Sequence, residues 1–267
     1  MGICIDTDPE MDRRKEKMTN SLEERLKKGE TLLGAFVTLM STDVAEILSL
    51  VGFDYLWIET EHAPLDFSHV QMLIQAIGGR CPCLVRVPEN KEVWIRKALD
   101  TGCDGIVVPQ VMTAEEAREA VQWSLYPPLG KRRVGIARAH GYGMAFRDYV
   151  GRVNEHLTIV LQVENAEAVR NIKSIAAVRG VGAIFIGPFD LSGSLGVLGQ
   201  VSHPHVQDAI EEVRICCQEA NVPLGIFAAD AQNAKTYIGK GFRLIALGMD
   251  TFYLWKSTQA MLKEVRG

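Results

Sequence analysis

The chain has 267 residues, of which 47% are hydrophobic and 23% are charged, and its formal net charge at pH 7 is −4. This length suits one α/β barrel or two small domains, and the apolar content can supply a large core. The slightly acidic balance argues against a nucleic-acid partner. No apolar run reaches the roughly 20 residues that a membrane-spanning helix needs. We therefore expect neither nucleic acid nor membrane among its partners.

Residues 1–19 are predicted to be a flexible tail, because they include the charge run DRRKEK and lack the basic-then-apolar order of a signal peptide. Residues 20–267 are predicted to form one domain that opens with a short helix ending near Lys28. The six cysteines match no zinc-binding spacing, and we expect them to be reduced and mostly buried. A cytoplasmic location is the simplest expectation. The cysteines are Cys4, Cys81, Cys83, Cys103, Cys216 and Cys217.

Apolar, strand-like runs alternate with segments of helical period along the domain. The strand-like runs lie near 33–39, 54–60, 82–88, 105–110, 157–164, 183–188, 223–228 and 243–248. The helical segments cover 43–51, 67–77, 91–101, 114–125, 166–178, 206–220, 231–240 and 251–265. Continuous apolar strands indicate a parallel sheet that is buried on both faces. Eight such units predict a closed (β/α)8 TIM barrel, with an open doubly wound sheet as the alternative.

Two connections are too long for simple turns, and we expect them to act as lids or subunit contacts. One runs from Tyr126 to about Glu155, and the other follows Asp190.

Polar residues that could do chemistry follow many of the predicted strands. Because a barrel collects the carboxyl ends of its strands at one mouth, these residues are expected to share one site. They are His62, Arg86, Gln110, Glu164, Asp190 and Asp250.

Glu164 and Asp190 end neighbouring strands, so their carboxylates could together bind a hard divalent cation such as Mg²⁺ or Mn²⁺. The alternatives are a surface charge for Glu164 and a helix cap for Asp190. Arg86 lies inside an apolar run, where it binds either an anionic substrate or a core carboxylate. His62 is a candidate general base or an ordinary loop histidine. No lysine ends a predicted strand, which favours metal activation over a Schiff base.

Seven segments of the chain resemble the HpcH/HpaI family of class II pyruvate aldolases, which includes 4-hydroxy-2-oxoheptanedioate and 2-keto-3-deoxyglucarate aldolases. The resemblance covers about residues 20–260, and the E-H-A-P and I-G-P-x-D-L-S elements are its most specific parts. The segments are IETEHAP (58–64), LVRVP (84–88), LDTGCDGIVVPQV (99–111), YPPLGKRRVG (126–135), LQVEN (161–165), IGPFDLSGSLG (186–196) and LGMDT (247–251).

This resemblance implies a barrel, dependent on Mg²⁺, Mn²⁺ or Co²⁺, that cleaves a 4-hydroxy-2-oxo acid to pyruvate and an aldehyde. It also implies a homo-oligomer, a hexamer or a trimer, built from trimers or from dimers that exchange the C-terminal helix. The implied metal ligands are Glu164 and Asp190. The implied roles of the other residues are enolate binding by Arg86, general base catalysis by His62 paired with Asp100, pyruvate binding by Gln162, and carboxylate binding by the backbone of Phe189 and Asp190.

Three positions depart from the family pattern. Glu59 replaces the aspartate of the usual D-x-E-H element, Arg133 replaces a common glycine, and Phe189 is bulkier than usual. Two other functions are kept as alternatives, a lyase for CoA thioesters of the malyl or citramalyl type and a catalytically degenerate barrel that binds small acids.

Overall fold

The computed structural model describes residues 21–267. Its eight strands are all parallel and follow one another in chain order, and β1 pairs with both β2 and β8. The strands are β1 (Leu32–Val37), β2 (Tyr55–Glu59), β3 (Cys83–Arg86), β4 (Gly105–Val108), β5 (Thr158–Val163), β6 (Ala183–Ile186), β7 (Leu224–Ala228) and β8 (Leu244–Met249). The predicted (β/α)8 barrel is confirmed, and the pairing of β1 with β8 rules out the open sheet. The predicted tail lies outside the described residues.

Helices follow every strand and cover the outside of the barrel. Several begin at a side-chain cap, as at Ser41, Thr113 and Asn165, whose oxygens accept backbone N–H groups of the first turn. None of the helices within residues 21–267 combines the length and apolarity needed to cross a membrane. The helices are α1 (Leu22–Lys27), α2 (Thr42–Leu50), α3 (Phe67–Ile77), α4 (Glu92–Asp100), α5 (Ala114–Ser124), α6 (Phe146–His156), α7 (Ala166–Ala176), α8 (Pro188–Ser194), α9 (Pro204–Glu219), α10 (Ala231–Gly239) and α11 (Asp250–Arg266).

Strand side chains alternate between the barrel lumen and the layer under the helices, so the core has two parts. The lumen is filled mainly by large side chains, and close approach is allowed where strands carry glycine. A Cβ atom on Gly34 would lie 2.3 Å from the ring of Tyr55, so only glycine fits beside that ring. The lumen cluster includes Leu32, Phe36, Tyr55, Trp57, Leu84, Val107, Val160, Phe185 and Leu244.

The short helix α1 closes the amino-terminal mouth of the barrel. Its start is fixed by Ser21, whose hydroxyl accepts the N–H of Glu24 at 3.3 Å. Leu22 and Leu26 are buried and belong to the lumen cluster. The lumen is therefore packed shut at this end, and chemistry is left to the carboxyl ends of the strands.

Two helices fall within segments that were expected to be loops. Helix α6 occupies part of the connection after Tyr126. Its apolar residues Phe146, Tyr149, Val150 and Val153 recur at helical spacing, so the sequence carries a signal for this helix although no α6 residue is fully buried. His156 is the last residue of α6 and stands two residues before β5. Helix α8 has only seven residues and begins with Pro188, which suits the first position of a helix.

Asp250 was expected in the site because it follows a strand, but its role is structural. Its carboxylate is 1% exposed and accepts the N–H groups of Thr38 and Leu39, each at 2.8 Å, and the Thr38 hydroxyl at 2.6 Å. Since Thr38 directly follows β1 and Asp250 directly follows β8, this carboxylate ties together the strands that close the barrel.

We expect Asp250→Ala to lower the free energy of unfolding by about 3 kcal/mol, because three donors lose their acceptor near the core. Urea denaturation measures the change. Asp230→Ala is the matched control, since Asp230 also accepts a backbone N–H but caps α10 at an exposed position, where the loss is about 1 kcal/mol. Equal losses for the two variants would contradict a closing role for Asp250.

Candidate active site

Three polar side chains occupy the last lumen positions of their strands at the carboxyl-terminal mouth. Glu59, Arg86 and Gln162 come from β2, β3 and β5, and each is at least 94% buried. Strand register places Glu59 beside Arg86. This buried position removes most of the water that would otherwise compete for their hydrogen bonds.

An aromatic floor lies directly under these polar groups. The ring centroids of Phe36 and Trp57 are 4.7 Å apart, and those of Trp57 and Phe185 are also 4.7 Å apart. The Arg86 guanidinium carbon sits 5.7 Å from the centroids of both Phe36 and Trp57. The floor therefore favours a cation at this depth and blocks access from below.

Arg86 is held by partners on both sides of its guanidinium. Its Nε donates to Glu59 Oε2 at 2.6 Å, and its Nη2 lies 2.5 Å from the same oxygen. On the other side, Nη1 donates to Gln162 Oε1 at 3.3 Å. Arg86 therefore does bind a core carboxylate, that of Glu59, which was one of its two expected partners. The other side of its guanidinium still faces Gln162 and the mouth.

Glu164 follows β5 directly and is buried beside the mouth. Its Oε1 accepts the N–H of Gln110 at 2.8 Å, and its Oε2 accepts Gln162 Nε2 at 2.5 Å. The pKa of Glu164 is raised to about 7, mainly by burial and with a contribution from the charges of Glu61 and Asp190, while the Gln110 N–H and the Arg86 charge oppose the rise. Gln110, predicted as a strand-end site residue, contributes through its backbone and has an uncommon positive φ of 54°.

Glu61 was not singled out from the sequence, although it stands inside the E-H-A-P element. Burial raises its pKa to about 7, the Arg86 charge lowers it, and the charges of Glu59 and Asp190 raise it. Its Oε2 is buried without a hydrogen bond and lies 3.2 Å from Arg86 Nε, which is already donating to Glu59. A signal for Glu61 was its position next to His62, but adjacency alone does not show which way a side chain points.

Asp190 lies close enough to Glu61 and Glu164 for its charge to raise the pKa values of both. Three acids with one shared guanidinium leave an excess of negative charge, and Glu61 has an oxygen without a donor. These features fit a hard divalent cation with oxygen ligands. Within residues 21–267, however, no three His, Cys, Asp or Glu side chains are arranged as a complete ligand set. The assignment of Glu164 and Asp190 as metal ligands stays a prediction.

His62 is placed at the rim of the mouth. Its side chain is 66% exposed, and its Nε2 lies 3.7 Å from Glu61 Oε2. Its backbone N–H donates to Glu59 Oε1 at 3.0 Å, which fixes the turn after β2. The imidazole is therefore free to meet a substrate above the buried acids.

Asp100 does not lie with His62 in one chain. It is the last residue of α4, which runs from the carboxyl end of β3 back to the amino end of β4, so it lies at the opposite end of the barrel. There Asp100 Oδ1 accepts Arg132 Nη2 at 2.8 Å. The expected pairing of Asp100 with His62 is not formed within a single chain, because the length of α4 separates them.

Phe189 and Asp190 lie in the first turn of α8, beyond the end of β6. Backbone N–H groups of a first helical turn have no intrahelical acceptor and are available to an anion. The Phe189 side chain is 51% exposed, so its bulk extends into solvent at the surface and not into the lumen. Neither feature tests the predicted contact with a substrate carboxylate.

Arg133 contacts a helix near the mouth, and not the site itself. Its Nε lies 2.9 Å from Glu92 Oε1, and its Nη2 donates to Glu92 Oε2 at 3.0 Å. Since 70% of the Arg133 side chain is exposed, this pair contributes little stability. It does tie the long connection after α5 to the first turn of α4.

The chain is similar to known proteins over most of its length. The family model described as HpcH/HpaI aldolase/citrate lyase matches residues 32–257. The hydroxypyruvate/pyruvate aldolase of Paraburkholderia phytofirmans is 38% identical over 93% of this chain and 98% of its own. The 4-hydroxy-2-oxo-heptane-1,7-dioate aldolase of Escherichia coli is 39% identical over 91% of this chain and 94% of its own. A crystal structure of a HpcH/HpaI aldolase/citrate lyase family protein from Burkholderia cenocepacia superposes with a TM-score of 0.89 at 37% identity, covering 92% and 99% of the two chains.

The raised pKa of Glu164 predicts how stability depends on pH in chelator-treated protein. Its folded pKa of about 7 exceeds the ordinary value of 4.5, so the folded chain binds more protons and loses stability as pH rises between those values. Between pH 5 and pH 8 we expect the free energy of unfolding to fall less in Glu164→Gln than in the wild type. The difference between the two falls should be about 2–3 kcal/mol at most. Urea denaturation across that range measures the difference. Parallel curves for the two proteins would contradict the raised pKa.

Proposed function

Because the chain belongs to the HpcH/HpaI aldolase/citrate lyase family, we propose that it is a divalent-metal-dependent pyruvate aldolase that cleaves a 4-hydroxy-2-oxo acid. The observation that carries the proposal is the buried Arg86 guanidinium, held between Glu59 and Gln162 at the mouth. A fixed cation in a water-poor site suits a reaction in which negative charge develops on a substrate oxygen. Release of the aldehyde from such an acid leaves the enolate of pyruvate, whose oxygen carries this negative charge.

The metal would be held by Glu164 and Asp190, with Mg²⁺, Mn²⁺ or Co²⁺ as candidates. When bound, a divalent cation polarises a keto group and stabilises negative charge on its oxygen. The mutual repulsion of Glu61, Glu164 and Asp190 supports this assignment, because a cation between acids lowers the pKa values that burial has raised. Glu61, whose Oε2 has no donor, would accept hydrogen bonds from water in the same place.

The remaining steps belong to the protein's own side chains. His62 removes the proton from the C4 hydroxyl, the C3–C4 bond breaks, and C4 leaves as the carbonyl carbon of an aldehyde. The electron pair of that bond moves toward the 2-keto oxygen, where Arg86 stabilises the growing charge. The enolate then takes a proton at C3 and becomes pyruvate. Gln162 and the N–H groups of Phe189 and Asp190 would position the substrate's keto-acid end.

We also propose that the chain works as a homo-oligomer, a hexamer or a trimer. Asp100 lies too far from His62 in its own chain, so the predicted pairing of these residues requires Asp100 from a second copy. Helix α11 offers an exposed apolar surface that an exchange of C-terminal helices would cover. Its exposed apolar residues are Leu254, Trp255, Met261, Leu262 and Val265.

A cytoplasmic location fits the thiols. Cys103, Cys216 and Cys217 are free, and burial raises the pKa of Cys103 and Cys217 to about 12, so these two stay protonated and unreactive. Free, inert thiols are typical of proteins in reducing compartments. Cys4 lies outside the described residues.

The proposed function is tested by measuring pyruvate release from a panel of 4-hydroxy-2-oxo acids, coupled to lactate dehydrogenase. We expect cleavage with added Mg²⁺, Mn²⁺ or Co²⁺, and none after chelation. Oxaloacetate decarboxylation, which needs enolate stabilisation but no C4 base, is the second reaction. Arg86→Ala should slow both reactions by about 100-fold or more, whereas His62→Ala should slow mainly cleavage. Cleavage unaffected by chelator, or full decarboxylation by Arg86→Ala, would refute the assigned roles.

The cross-subunit pairing is tested by mixing two inactive variants. His62→Ala and Asp100→Asn chains, co-expressed and purified together, should regain activity, because some sites combine an intact His62 with an intact Asp100. Random mixing predicts about a quarter of the wild-type rate. Each variant expressed alone is the control. Mixed assemblies as inactive as the separate variants would refute a site shared between two chains.

A further inference from the structure

Glu59 stands behind both of the side chains to which the proposed reaction assigns a role. It is the last residue of β2, and only 2% of it is exposed. Its Oε2 accepts Arg86 Nε at 2.6 Å. Its Oε1 accepts the backbone N–H groups of Glu61 at 2.7 Å and His62 at 3.0 Å. One carboxylate therefore joins the buried guanidinium to the turn that carries the imidazole.

We propose that Glu59 is a positioning residue that sets the placement of Arg86 and of the His62 turn together. The inference rests on the proposed function for what Arg86 and His62 do. Glu59 itself need not touch substrate, because both of its carboxylate oxygens are engaged within the protein, in three hydrogen bonds and the ion pair with Arg86 Nη2. Its role is to keep the cation and the base at a fixed separation, which is what a substrate spanning both requires.

The length of the side chain matters for this role. Register sets Glu59 directly opposite Arg86 on the neighbouring strand, while the 61–62 turn folds back over the end of β2. An aspartate would be shorter by one carbon–carbon bond, about 1.5 Å. Since the three contacts at Glu59 Oε1 and Oε2 are already between 2.6 and 3.0 Å long, a carboxylate withdrawn by that distance would keep one side and lose the other.

Arg86 has an alternative partner that Glu59 normally outcompetes. Glu61 Oε2 lies 3.2 Å from Arg86 Nε but makes no hydrogen bond, because that N–H points to Glu59. If the charge on Glu59 were removed, the guanidinium would turn toward Glu61 and away from its position over the aromatic floor. Neutral Glu59→Gln preserves an acceptor for the 61–62 turn, so it separates the two functions of the carboxylate.

The kinetic test compares Glu59→Gln, Glu59→Asp and Glu59→Ala in both reactions. We expect Glu59→Gln to lower kcat for decarboxylation and cleavage alike by about 10- to 100-fold. Glu59→Ala should lower cleavage further than decarboxylation, because it also releases the His62 turn. Glu59→Asp should recover only part of the loss. In an Arg86→Ala background, Glu59→Gln should change decarboxylation by less than about threefold, since its effect passes through Arg86.

Asp54→Asn is the matched control. Asp54 also accepts an arginine, Arg25 Nη2 at 2.6 Å, and a backbone N–H, that of Leu33 at 2.9 Å, but at the amino-terminal end of the barrel. It should lower stability without changing kcat. The proposal is overturned if Glu59→Gln keeps wild-type kcat, if its effect is undiminished in the Arg86→Ala background, or if Asp54→Asn lowers kcat as much.

A second measurement needs no turnover and so separates this inference from the proposed function. Amide hydrogen exchange at Glu61 and His62 should be slow in the wild type and in Glu59→Gln, and at least about tenfold faster in Glu59→Ala. Equal protection in all three proteins would refute the positioning role even if the enzyme is an aldolase. If amide exchange is faster in Glu59→Ala but the wild type releases no pyruvate, the hold of Glu59 on the 61–62 turn is upheld and the proposed aldolase activity is refuted.

Discussion

A buried guanidinium must be paired, and this requirement organises the mouth of the barrel. The side chain of Arg86 is 8% exposed and that of Glu59 2% exposed, so each would be costly to bury without the other. Breaking such a pair by removing one partner typically costs about 3–5 kcal/mol, far more than an exposed ion pair contributes. The aromatic floor under Arg86 reinforces the arrangement, since ring faces attract a cation that water cannot reach. Every other group of the site is placed relative to this pair.

The acids around the pair are not balanced by it. Burial is the main cause that raises the pKa values of Glu61 and Glu164 to about 7, and the charge of Arg86, which is paired with Glu59, only partly opposes it. A site with several buried carboxylates and one committed cation stores unfavourable electrostatic energy in the folded chain. That energy is released when positive charge enters, which is the physical reason that acids gather where cations bind. The same imbalance would make the mouth sensitive to pH in the neutral range when no cation is bound.

Much of the fold could be predicted from the sequence because continuous apolar runs and helical periods are strong, local signals. The strand-end pattern pointed to Arg86 and Glu164, and the family resemblance added Gln162, which hydrogen-bonds to both of them. Asp250 was misassigned, since a carboxylate that follows a strand serves equally well to bind backbone N–H groups of a neighbouring strand. Asp100 was matched to His62 by resemblance, which carries no information about whether partners belong to one chain or two.

What the sequence could not supply was the direction of side chains. Glu59 was noted only as a departure from a pattern, and Glu61 was passed over, yet their carboxylates do as much to define the mouth as those that were named. Such features depend on tertiary contacts that no short window of sequence contains.

Leu22 and Leu26 close the amino-terminal end of the lumen, so the pocket opens to solvent at its carboxyl-terminal mouth alone. The part of a ligand that binds at Arg86 lies at the closed end of the pocket. The part that extends toward His62 lies between Arg86 and solvent. Products must then dissociate in order, starting with the one nearest to solvent. The product near His62 has to dissociate first. The product at Arg86 would therefore be the last to leave, and it would compete with the next substrate for the site.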